Sequence, residues 1–100
     1  MIIFEIKTPV EVANRLSIKA KQLRLEKKWT RKTLSERSGV PEASLRRFED
    51  TGKISLESFL KLMCALGRLD EVETLLNPLK IKSIDQLEEQ TKPLPKRGTI

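Results

Sequence analysis

The stretch that most constrains this chain runs from Thr30 to Asp50, TRKTLSERSGVPEASLRRFED. It reads as two short helices joined by a tight turn. Thr30 is placed as an N-cap, its side-chain oxygen available to an unpaired backbone N–H. Leu34 gives the first helix an apolar contact. Gly39 sits where a left-handed residue must end that helix, a conformation glycine adopts without a Cβ penalty. Val40 follows as an apolar plug in the turn. Pro41 suits the first turn of a second helix, where its missing N–H would be unbonded anyway. Leu45 and Phe48, three apart, make the inward face of that helix. Glu42, Ala43, Arg46 and Arg47 fall on the outward face. A polar, basic second helix after a glycine turn describes a helix-turn-helix whose second helix is built to read DNA.

Any helical hairpin in a small protein is the plainer account, and a glycine between amphipathic helices is common. The combination of Thr30, Leu34, the small Ser35, Gly39, Val40, Leu45 and Glu49 at these spacings is more specific. It favours the helix-turn-helix.

One hundred residues allow one domain and a tail. With three Phe, one Trp and no Tyr, aliphatic side chains must carry most of the burial. A single cysteine excludes an internal disulfide, and with no histidine there is no plausible zinc ligand set. No metal or cofactor is expected. Cys64 lies between Met63 and Ala65 in a helical apolar run, so a buried, inert thiol is expected there. The absence of histidine and of grouped acids argues against an enzyme. No apolar run approaches membrane-spanning length, and the N-terminus lacks a signal-peptide layout, so a soluble cytoplasmic protein is expected. The net charge of +6 is unevenly placed. Residues 15–53 hold twelve Lys/Arg against five Asp/Glu, a local +7. That excess lies on and just before the helix-turn-helix, which favours a polyanion partner over a merely solvated face.

Taken in order, residues 1–8 read as an N-terminal arm or strand. Ile2, Phe4 and Ile6 share one face of an extended segment, which needs a pairing partner because a lone strand is unstable. Thr8-Pro9-Val10-Glu11 is a capping box with proline at the first helical position. A long helix is expected from Pro9 to about Lys28, with Val12, Leu16, Ala20 and Leu23 as its apolar stripe and Ala13 beside it. Trp29 closes it and packs under the helix-turn-helix. Ser55 caps a helix from Leu56 to Leu66, buried through Leu56, Phe59, Leu60, Met63 and Leu66 and ended by Gly67. Asp70 and Glu73 frame a fifth helix from Glu71 to Leu76, whose Val72, Leu75 and Leu76 suit a partner subunit. The domain is expected to end near residue 77. In residues 78–100, Ser83 and Gln86 signal one or two helical turns, and TKPLPKRGTI reads as a flexible basic arm.

The five-helix count and the spacing TRKTLSERSGVPEASLRRFE resemble the Cro/repressor-type helix-turn-helix family over about residues 9–76. The resemblance implies an all-α fold of five helices. The family's Thr-Gln start is Thr30-Arg31 here, and a guanidinium in place of the amide still suits phosphate. Ser35 stands where the family usually has Ala, and Pro41 where it has Ser or Lys. The family joins an Arg at the end of the first helix to a Glu in the recognition helix, positions held here by Arg24 and Glu49. A narrower resemblance is to HipB-like antitoxins. It is carried by the apolar N-terminal segment before Thr8-Pro9, then VANRL, KKWTRKTLSERSGV, LRRFED and SLESFLKLMCALG. That resemblance implies a homodimer on an inverted-repeat operator, repressing its own toxin–antitoxin operon and associating with a HipA-like kinase toxin. The basic, proline-containing ending departs from the shorter members. It leaves room for systems in which a third small protein shares the antitoxin role.

Two other functions compete. One is a stand-alone phage- or chromosome-type repressor. The other is a protein-interaction module with vestigial DNA binding, to which Glu42 on the DNA face lends weight. On the DNA-binding reading, Glu42, Ala43, Arg46 and Arg47 face base edges, while Arg31, Lys32 and Ser44 lie nearer the backbone.

Overall fold

The computed structural model describes residues 7–79 together with 94, 97 and 98. Five helices and no strand are found among the described residues: α1 (Pro9–Glu26), α2 (Arg31–Ser38), α3 (Glu42–Thr51), α4 (Leu56–Ala65) and α5 (Leu69–Glu73). The fold is the all-α, five-helix arrangement expected of a Cro-like domain. Of the N-terminal arm or strand expected over residues 1–8, residues 1–6 lie outside the described residues, as do the helical turns signalled by Ser83 and Gln86 and most of the basic arm.

Local chemistry sets most of the helix ends. Thr8 Oγ1 accepts from Glu11 N at 3.2 Å, and Thr30 Oγ1 accepts from Thr33 N at 3.1 Å. Ser55 Oγ likewise accepts from Ser58 N at 3.1 Å. Each satisfies one of the donors a helix start leaves open. Gly39 ends α2 at φ 78°, as its position implied. α1 stops two residues early. Lys28 takes φ 60°, and Trp29 N reaches back to Arg24 O at 3.2 Å. A left-handed lysine is strained by about 1–2 kcal/mol. It turns the chain sharply enough to bring Trp29 over the core.

The core is assembled from Leu34, Val40, Leu45, Phe48 and Leu62, all nearly inaccessible, with Ala20, Met63 and Leu66 around them. Phe48 meets Phe59 edge to face at 5.9 Å. α1 and α2 each pack on α3, and α4 lies between α2 and α5.

Several expectations need correcting. Val12 and Leu16 are exposed; of the expected stripe Ala20 is buried and Leu23 packs against the core, and α1 also buries Ser17 and Arg24. Its inward face is small and polar because it closes on α3. Leu56 is exposed while Leu62 is fully buried, since α4 is covered from two sides rather than one. Cys64 is exposed, not buried, one position off the Leu62–Met63–Leu66 contact. Pro41 is not the first helical residue of α3. Its ψ of 141° is extended, and the helix begins at Glu42. α5 starts at Leu69 with Arg68 before it, so Asp70 lies inside the first turn and caps nothing. Arg68 Nη1 grips both Glu71 oxygens at 2.8 Å, and that carboxylate raises the arginine's pKa. Leu75 and Leu76 fall beyond the helix and are exposed.

Gly52 joins α3 to α4 and touches α1. It has φ 78°, and a Cβ there would meet Ala13 C and Asn14 Oδ1 at 3.0 Å. Gly39 has the same φ but open space around it. Gly39→Ala should therefore cost about 1–2 kcal/mol from backbone strain alone. Gly52→Ala should cost clearly more, because α1 must also shift. Urea denaturation of the two variants checks the order; equal losses would mean that α1 yields freely.

Candidate nucleic-acid interface

The turn between α2 and α3 is fixed by two serines. Ser35 Oγ donates to Val40 O at 2.6 Å, and Ser38 Oγ accepts from Val40 N at 3.1 Å. Both polar groups of the Val40 backbone are thereby paired while its side chain is buried. Ser35, where a smaller Ala would leave the Val40 carbonyl without this donor, thus holds the turn that sets the angle of α3.

With Leu45 and Phe48 turned inward, the other side of α3 faces solvent. Glu42, Ala43, Arg46 and Arg47 are exposed and share one shallow concavity of about 500 Å³. Asp50 and Thr51 line it as well. These two were missed in the sequence, although the helical spacing of Asp50 from Arg46 and Arg47 was there to be read. The surface is balanced: two carboxylates, Glu42 and Asp50, face two guanidiniums, Arg46 and Arg47. Ser44 departs from this group. It is half-buried and borders a separate hollow with Arg47, Lys53, Ser55 and Ser58. Lys32 is exposed at the start of α2.

Behind this surface lies a buried ion-pair cluster. Arg24 Nε donates to Glu49 Oε2 at 2.9 Å and Arg24 Nη2 to Glu49 Oε1 at 3.0 Å. Arg24 Nη1 also donates to Trp29 O at 2.8 Å. The side chains are 6 % and 1 % exposed, so this is an interior pair with its hydrogen bonds filled. The sequence offered Arg31 as a phosphate-facing side chain. In the structure its Nε donates to Glu49 Oε1 at 3.0 Å, and the side chain keeps 28 % exposure. Nearby, Trp29 is half-buried against the core, with the Arg37 guanidinium 4.6 Å and the Lys27 ammonium 5.3 Å from its ring centre. It is a packing residue braced by cations.

Two short helices meeting at a glycine turn, the second held from behind and polar in front, define a DNA-binding helix-turn-helix domain. The helix-turn-helix family model matches residues 21–73, more than half of the chain, and the chain belongs to that family, of the Cro and repressor type. It is accordingly a sequence-specific DNA-binding transcription regulator. No curated protein matches the chain.

Removing one partner of a buried pair leaves the other charge unpaired, at a cost of about 3–5 kcal/mol at full burial. Arg24→Ala and Glu49→Ala should each approach that range, Glu49→Ala the more because it strands two arginines. Arg31→Ala should cost about 1 kcal/mol or less, its side chain being partly solvated. Denaturation midpoints of the three variants test the ranking; a loss for Arg31→Ala matching the other two would contradict it.

Proposed function

We propose that the chain acts as a dimeric repressor of its own operon and as the antitoxin partner of a HipA-like kinase toxin. The observation that carries the DNA-reading part is the α3 surface, exposed side chains of both signs held in register by a buried pair. On a helix beginning at Glu42, only the first two turns reach the floor of the major groove. Arg46 or Arg47 can take guanine O6 and N7 bidentately, and Glu42 can accept from a cytosine amino group or orient an arginine. Ala43 leaves room for close approach. Arg31, Lys32 and Ser44 contact the sugar–phosphate backbone and set position, not sequence.

One α3 reads too few base pairs to be specific, so two copies should bind an inverted repeat with recognition helices about 34 Å apart. The surface that supports dimerisation is a groove of about 490 Å³ between α1, α4 and α5. Val12, Leu16 and Leu75, all lining it, are exposed. The toxin assignment is supported by the HipB-like segments VANRL, KKWTRKTLSERSGV and SLESFLKLMCALG. Co-purification with a kinase encoded beside this chain tests it. A second reading, a stand-alone repressor, is favoured by that same groove: a second copy alone would cover it. The stand-alone reading holds if no kinase gene adjoins or none co-purifies.

Base reading and backbone positioning separate in one experiment. Arg31→Ala should weaken binding to all sequences alike and lower the salt slope by about one counterion. Arg46→Ala or Arg47→Ala should relax preference at one base pair per half-site, by about 1–3 kcal/mol of discrimination. Selection from a random duplex pool reads both. If neither Arg variant changes the selected sequence while Arg31→Ala does, the assignment is reversed.

A further inference from the structure

The geometry points to Glu49 as a positioning residue for DNA: its buried carboxylate, fixed by Arg24, holds the Arg31 guanidinium so that the two terminal nitrogens meet a backbone phosphate. This rests on the assignment of Arg31 to the DNA backbone made above.

The hydrogen-bond pattern is the first support. Arg31 uses only Nε on Glu49. Among the described residues nothing else bonds its side chain, so the Nη1 and Nη2 fork is open to a bidentate acceptor. Charge is the second. One carboxylate sits between two guanidiniums, so the cluster carries an excess of one positive charge. Arg24 and Glu49 are buried, and the excess is presented at Arg31, the one member that water reaches. An anion on the open fork would balance it. The helix is the third. Arg31 is the first residue of α2, and the first turn of α2 contains no acidic side chain. A cation there opposes the helix dipole, whereas an anion at that place is favoured by it. Glu49 offsets part of this conflict from inside, and a phosphate would offset the rest from outside.

Tethering matters because a long side chain loses rotamer freedom when it grips a phosphate. Held at Nε, Arg31 has already lost much of it, and its fork is aimed before DNA arrives. Lysine cannot imitate this: it keeps the charge but has neither a second edge nor a fork. Glutamine at the same position would lack the charge.

The test uses the full chain and mixed-sequence duplex DNA, with binding followed by fluorescence anisotropy over a salt series, below the melting temperature of every variant. Arg31→Gln should lower the salt slope by about one. Arg31→Lys should keep the slope yet bind roughly three- to tenfold more weakly, since charge is retained and geometry lost. Glu49→Gln should weaken binding by a larger factor in the wild-type background than in the Arg31→Gln background, because part of its effect passes through Arg31 and the rest through the Arg24 pair. An equal loss in both backgrounds would show that Glu49 serves the fold alone and would overturn the inference. If Glu49→Gln does not fold, Arg31→Lys decides: binding equal to wild type overturns it. A wild-type chain without salt-dependent binding to the duplex would instead overturn the DNA assignment beneath it.

Discussion

The Arg24–Glu49 pair is the interaction on which the arrangement of this domain depends. It joins the last turn of α1 to the recognition helix across 25 residues of sequence. Apolar contacts such as Leu45 and Phe48 bring α3 to the core, but they are tolerant of rotation. A bidentate ion pair is not, because both oxygens and both nitrogens must align. Arg24 Nη1 also holds the Trp29 carbonyl, so the same guanidinium fixes the turn that leads into α2. One side chain thus orients the end of α1, the entry to α2 and the pitch of α3. Replacing such a pair by apolar residues need not destabilise a protein. Its value here is geometric, in fixing which side chains of α3 face outward.

Charge is distributed in a way that suits this division. The cations that exceed the local acids lie on α1, at the start of α2 and in the loops, where they raise attraction for any polyanion. The outward face of α3 is itself balanced, Glu42 and Asp50 against Arg46 and Arg47. A balanced face adds little to non-specific attraction and much to discrimination, since a carboxylate beside the wrong base or a phosphate is repelled. On the proposed reading, affinity and selectivity would be carried by different surfaces.

Much of this was legible in the residues. Thr8, Thr30 and Ser55 announce helix starts through short-range hydrogen bonds, and Gly39 announces a left-handed stop through backbone sterics. Local effects of that kind survive folding unchanged. Boundaries decided by tertiary contacts were not legible. Pro41 satisfies the rules for a first helical residue, yet the bonds from Ser35 and Ser38 to Val40 hold the turn extended for one residue more. Leu62 was missed because periodicity gives one buried face and α4 is covered on two, whereas Cys64 was misread because apolar neighbours along the chain do not say which side of a helix a residue is on. The Arg24–Glu49 relation was anticipated from family resemblance. The Arg31–Glu49 bond had no local signal, since it joins residues 18 apart at the start of one helix and the end of another. Asp50 was visible at helical spacing and passed over.

The central claim is that α3 and the start of α2 form the DNA-facing surface, and that the apolar groove of α1, α4 and α5 faces away from DNA. Backbone amide shifts, followed by nuclear magnetic resonance as duplex DNA is added to the labelled full chain, test it most directly. The account predicts the largest changes at Arg31, Lys32 and Glu42 through Arg47, with Val12, Leu16 and Leu75 little altered. Changes centred on Val12, Leu16 and Leu75, with α3 unmoved, would contradict it.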